Sequence, residues 1–192
     1  MPLPSEKTHY TFADLQLTEE HERIEIIHGY AYFMRSGTLD HQQISGELLR
    51  QFANFLDGKS PKILVRPLSV RLFEKDSDTP EVVDTVVEPD LLIVHDKSKF
   101  DEFGCKGVPD LIIEILEPYT YYHDCFVKLD LYQQAGVREY WIVDPESKTV
   151  KVLTLDDEGI YHISKAYKQT DTVKVNILNG CTIDLSKVFP EE

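Results

Sequence analysis

Asp90 and Glu114 are carboxylates set in apolar surroundings, Val-Val-Glu-Pro-Asp-Leu-Leu-Ile-Val (86–94) and Gly-Val-Pro-Asp-Leu-Ile-Ile-Glu-Ile-Leu (107–116). Lys128 follows in His-Asp-Cys-Phe-Val-Lys-Leu-Asp-Leu-Tyr (123–132). A carboxylate buried without a partner is costly enough that it neutralises, pairs with a cation or binds a metal. If the two runs are neighbouring strands, both carboxylates can converge on one Mg²⁺ (or Mn²⁺). Such a hard ion takes one or two carboxylates and fills its other positions with water and phosphate oxygens. It polarises a phosphoryl group and lowers the pKa of an attacking water. An ammonium beside that water positions it or stabilises developing charge. The expected chemistry is metal-assisted phosphodiester hydrolysis, with Asp90 and Glu114 as ligands and Lys128 as the catalytic cation.

Each residue also has a plainer reading. Asp90 follows Pro89 and suits a turn or cap, and Glu114 suits an ion pair with an arginine from another element. Asp124 stands four residues before Lys128, the spacing of an ordinary surface helix pair that stabilises by roughly 0.3–0.5 kcal/mol. A thiol hydrolase using Cys125 and His123 is a weak reading, because residues two apart on a helix point in different directions.

The elements that must hold these groups are legible in outline. Thr11 with Asp14 forms a box-like start for a helix over 12–20. Ile24 to Met34 alternates loosely around Gly29 and reads as a hairpin, or a strand with a tight turn. Asp40 is the expected N-cap of a helix carrying Ile44, Leu48, Leu49, Phe52, Phe55 and Leu56 at helical spacing, up to Gly58. Lys62–Phe73 alternates as a strand, with Pro67 marking an edge, a bulge or its start. The apolar runs 87–95 and 109–116 predict central strands covered on both faces, joined by a charged connector, 96–108. A helix over 121–135 stops at Gly136, and Glu139–Asp144 is a further buried strand. Strand, helix, strand over 109–144 implies a right-handed crossover in a mixed sheet. A meander follows, with strands near 148–155, 160–167, 172–178 and 181–185. The fold class is α/β or α+β with a mixed central sheet, in one domain.

The 192 residues are 42% hydrophobic and 28% charged, a globular composition. No run approaches the roughly 18 apolar residues of a membrane span, and the N-terminus lacks the pattern of a signal peptide. Three widely spaced cysteines, Cys105, Cys125 and Cys181, predict reduced thiols in a cytoplasm. A net charge of −14 opposes a nucleic-acid partner, since phosphate binders show a basic face. Any DNA affinity is therefore expected to be weak and salt-dependent.

Glu-Pro-Asp-Leu (88–91), Gly-Val-Pro-Asp-Leu-Ile-Ile-Glu-Ile-Leu, Asp124-x-x-x-Lys128-x-x-x-Tyr132 and Gly-Val-Arg-Glu-Tyr-Trp-Ile-Val-Asp-Pro (136–145) together resemble the bacterial Uma-two family. These are restriction-endonuclease-like domains of the PD-(D/E)XK superfamily. The resemblance runs from Thr11 to about Leu153, and its most specific block is Glu-Tyr-Trp-Ile-Val-Asp-Pro. It implies a restriction-endonuclease-like core with Asp90 and Glu114 as metal ligands. Leu116 stands where the superfamily's name places lysine, so Lys128 would serve as a migrated lysine. The resemblance also implies a supporting carboxylate at Glu25 and a helix-start histidine at His41, and it carries the expectation of a homodimer.

The chain departs from the family at Glu117, where serine is usual before Pro118, and at His28 and Tyr30 beside the hairpin glycine. Tyr140 and Trp141 read as core or subunit-interface aromatics. Two functions compete. One is a Mg²⁺-dependent DNA endonuclease that loses cleavage when Asp90 or Lys128 is replaced. The other is a non-catalytic nuclease-fold module for assembly or nucleic-acid binding in a mobile-element or defence system, which the acidic charge and Glu117 favour.

Overall fold

The computed structural model describes residues 7–18 and 23–190. Along the chain run α1 (Phe12–Leu15), β1 (Ile24–Ile27), β2 (Tyr30–Phe33), α2 (Leu39–Leu56), β3 (Lys62–Val65), β4 (Val70–Arg71) and β5 (Val86–Val87). Then come β6 (Leu91–Val94), β7 (Phe100–Asp101), β8 (Gly104–Lys106), β9 (Leu111–Ile115), α3 (Lys128–Ala135) and β10 (Glu139–Asp144). The chain closes with β11 (Thr149–Leu155), β12 (Tyr161–Lys168), β13 (Thr172–Lys174) and β14 (Thr182–Asp184). They form two compact units, one from Met1–Ser36, Pro67–Glu88 and Ser98–Val108, the other from Gly37–Arg66, Pro89–Lys97 and Pro109–Glu192.

The first unit is a sheet in the order β2-β1-β5-β4-β8-β7. The β1–β2 hairpin turns at His28 and Gly29, both at positive φ (50° and 81°), as a two-residue turn between twisted strands requires. Thr11 and Asp14 form the expected capping box, but the helix ends at Leu15; positions 19 and 20 of the expected span lie outside the described residues. Within this unit Arg71 is buried and ion-paired with Glu74 and Asp101.

The second unit holds the main core and a sheet in the order β12-β11-β10-β9-β6-β3. β6 and β9 are central, as their uninterrupted apolar runs predict. β9 and β10 are parallel, joined through α3. Leu91, Ile93, Ile113, Trp141 and Val143 line one face, packed with Ile44, Leu48, Phe52 and Leu56 of α2 and with Val173 and Ile183 of the β13–β14 hairpin. Each fully buried aliphatic side chain contributes roughly 1.5–3 kcal/mol. α2 exists because its apolar residues recur every fourth position and so fall on one stripe.

Several expectations shift. The N-cap of α2 is Thr38, whose side chain accepts from His41 N, while Asp40 sits in the first turn. The expected strand Lys62–Phe73 is split at Pro67 into β3 and β4, which belong to different sheets. Pro89 likewise divides the run 87–95 into β5 and β6. The reason is common to both, since proline has no N–H to donate to a ladder. The 96–108 connector contains β7 and β8. The 121–135 helix has its expected bounds, but its residues His123–Val127 form a π-helical turn, and it stops at Gly136, φ 87°.

Candidate active site

Strand register assembles the site. β6 and β9 pair with Leu91 opposite Ile113, and β3 and β6 pair with Val65 opposite Leu91. Continuing both registers by one residue sets Arg66, Asp90 and Glu114 in a single row across three strands. The main chain agrees: Arg66 N donates to Asp90 O at 3.1 Å. The two carboxylates interlock, because Asp90 N donates to Glu114 Oε2 at 3.3 Å and Ile115 N donates to Asp90 Oδ2 at 2.8 Å. Asp90 itself lies in the bend after Pro89, as its turn reading expects.

Two acids this close in a dry interior need compensating charge. Glu114 receives Lys128 Nζ at 2.9 Å and the Tyr132 hydroxyl at 2.7 Å on the same oxygen, Oε1. Its cation is thus a lysine rather than the arginine the sequence suggested. Lys128 also lies 3.7 Å from Asp124, and this pair is buried, not at the surface. Tyr140 donates its hydroxyl to Asp124 O at 3.0 Å. Burial, with Glu114 and Asp124 nearby, holds that phenol well above its usual value, so it remains a donor.

Asp90 has a second set of partners. His41 Nε2 lies 2.9 Å from Oδ2, and Arg66 Nη1 lies 2.5 Å from Oδ1. Arg66 Nη2 is 3.3 Å from His41 Nδ1. A guanidinium only donates and a carboxylate only accepts. His41 Nδ1 is therefore the acceptor and Nε2–H the donor, which orients the ring between the two charges. The Arg66–Asp90 contact is electrostatic, since Asp90 Oδ1 has no well-aligned hydrogen bond.

Glu117 is buried and its Oε1 accepts Thr38 N at 2.6 Å, tying the segment after β9 to the start of α2, one turn before His41. Glu25 lies in the other unit on β1, buried, its Oε1 accepting Glu88 N at 2.8 Å. Cys125 is half-buried, and burial raises its thiol above the ordinary value, the opposite of an activated nucleophile. Tyr140 and Trp141 are fully buried, as expected. Trp141 Nε1 donates to Glu139 Oε1 at 2.7 Å, which satisfies both buried groups within β10.

Arg66 and Tyr132 are the members that residue reading left without a role. The available signals were an arginine ending the apolar strand Ile63-Leu64-Val65, and a tyrosine one helical turn after Lys128.

The donor set fits a hard divalent cation. Among the described residues no group of three or more His, Cys, Asp or Glu side chains is placed to hold a metal. Two carboxylates suffice for Mg²⁺, which keeps water and phosphate oxygens in its remaining positions. Asp90 Oδ1, which accepts no hydrogen bond and faces only the Arg66 guanidinium among the described residues, is the oxygen such a cation would share.

A nuclease-type fold is what these strands and helices define. The structure superposes on a crystal structure described as "a putative nuclease belonging to DUF820" from Anabaena variabilis ATCC 29413, with a TM-score of 0.70 and 17% identity over 94% of this chain and 97% of that one. The family model described as "Putative restriction endonuclease" matches residues 10–186, and the chain belongs to this Uma2 family, the Uma-two family its motifs resemble. No curated protein matches the sequence.

Proposed function

We propose that the chain is a divalent-metal-dependent DNA endonuclease of the restriction-endonuclease-like type. The observation that carries this reading is the cross-strand row of Asp90 and Glu114 with Lys128 held on the second carboxylate. Asp90 and Glu114 would hold Mg²⁺ or Mn²⁺, which when bound polarises a phosphoryl group and acidifies a water. The protein's own groups prepare that site. Lys128 pairs with Glu114 in a dry interior and supplies positive charge where the phosphate's charge develops. Tyr132 fixes the Glu114 carboxylate and His41 fixes Asp90, so neither reorganises on binding.

Supercoiled plasmid at low salt with Mn²⁺, Mg²⁺ or EDTA tests the reading, comparing wild type with Asp90→Asn at matched folded fractions. Metal-dependent nicking by wild type and none by the variant is expected. Equal cleavage by both would sink the assignment.

A second reading is supported by the same cluster, because both carboxylates already carry cationic partners without a metal. In that case the fold is a non-catalytic module. It then shows no metal affinity, no nicking, and an assembly state that chelator does not change.

A further inference from the structure

We propose that Arg66 exchanges partners during the reaction: it neutralises Asp90 while no divalent cation is bound, and contacts a phosphodiester oxygen of the substrate once Asp90 is engaged by the cation. This inference rests on the metal-dependent reading above.

The two cations of the cluster are not equivalent. Lys128 is 1% exposed and faces two buried carboxylates, Glu114 and Asp124. Withdrawing it would strand both, at heavy cost. Arg66 faces one carboxylate, and its side chain is 15% exposed. Its contact with Asp90 is close but poorly aligned, and its hydrogen bond to His41 is long at 3.3 Å. It is the cation that can leave. Its main chain stays fixed by the bond to Asp90 O, so a released side chain remains beside the site. A guanidinium freed there presents a planar fork of N–H donors that matches phosphate oxygens.

Gly37 makes room for this arrangement. A Cβ at that position would fall 2.7 Å from Arg66 Nη2 and 3.0 Å from His41 Nδ1. An added methyl would therefore press on the flexible end of Arg66 without removing any charge. That supplies a variant outside the catalytic groups.

The test measures Mn²⁺ binding by titration calorimetry, and DNA binding by fluorescence anisotropy in Ca²⁺, for wild type, Arg66→Gln, Gly37→Ala and Asp90→Asn. Arg66→Gln should bind Mn²⁺ about tenfold more tightly, equivalent to about 1.4 kcal/mol. Gly37→Ala should shift the same way by less. Arg66→Gln should also weaken DNA binding and lower the log–log salt slope by about one.

Unchanged or weaker Mn²⁺ binding in Arg66→Gln, with wild-type binding abolished by Asp90→Asn, overturns the exchange and leaves the metal reading standing. An unchanged DNA salt slope overturns the phosphate contact. Absence of Mn²⁺ binding in both wild type and Arg66→Gln overturns the metal reading, and the exchange falls with it.

Discussion

Glu114 is tolerated in the interior with Lys128 and Tyr132 meeting the same oxygen, so the residues read as catalytic are also structural. Removing one partner of a buried ion pair typically costs about 3–5 kcal/mol, because the other charge is left uncompensated. Lys128→Met is accordingly expected to lower unfolding free energy by about that amount in urea titration. Adding Glu114→Gln to it should recover part of the loss by removing the stranded charge. A Lys128→Met variant as stable as wild type would show that the pair is solvated in solution. The consequence for enzymology is direct: lost cleavage in a Lys128 variant means little unless the folded fraction is measured alongside it.

At the scale of elements, the site depends on β3, β6, β9 and β10 keeping register, and Asp110 secures three of them. Its Oδ2 accepts His95 N at 2.7 Å just after β6, and its Oδ1 is ion-paired with Arg138 just before β10. Its main chain adds bonds to Ile93 O and from Glu139 N. Partial burial pushes the Asp110 carboxyl up, but His95 and Arg138 outweigh it and hold the group below its ordinary value. A depressed folded pKa contributes stability above the unfolded value of about 3.9 that is lost as pH falls through the folded one. Asp110→Asn should therefore cost about 1 kcal/mol at pH 7, and the cost should shrink below about pH 4. Urea midpoints for both proteins at the two pH values decide it. A constant difference would exclude ionisation as the cause. The Pro-Asp pair at 109–110 is thus a staple, whereas the one at 89–90 supplies the site.

For the whole molecule the governing quantity is a net charge of −14. Beyond the roughly 10 Å Debye length at 0.1 M salt that charge is screened, so the DNA affinity proposed above would have to come from a few local cations. If Arg66 and Lys128 are the two that meet phosphates, affinity in Ca²⁺ should fall about tenfold between 50 and 200 mM salt, following a slope of about −0.9 per phosphate contact. A loss of a thousandfold would instead point to a basic surface elsewhere on the chain. No helix among the described residues is long and apolar enough to cross a membrane.

The local signals were legible because their causes are local. The β1–β2 turn at Gly29, the α2 stripe, the Gly136 stop and the buried runs of β6, β9 and β10 each follow from a few neighbouring side chains, and the structure has them. Asp90, Glu114 and Lys128 stood out for the same reason, since a charge beside an apolar run can be seen in one dimension. The partners could not be read in that way. That Arg66 meets Asp90 and that Glu114 takes a lysine and a tyrosine rather than an arginine depend on longer-range contacts. Shifting a strand by one residue would reverse every side chain's face, so only the tertiary pairing of β3, β6 and β9 decides which charges share a row. The sequence by itself determined the family, most of the elements and the charges that must be compensated; the tertiary structure decided what compensates them.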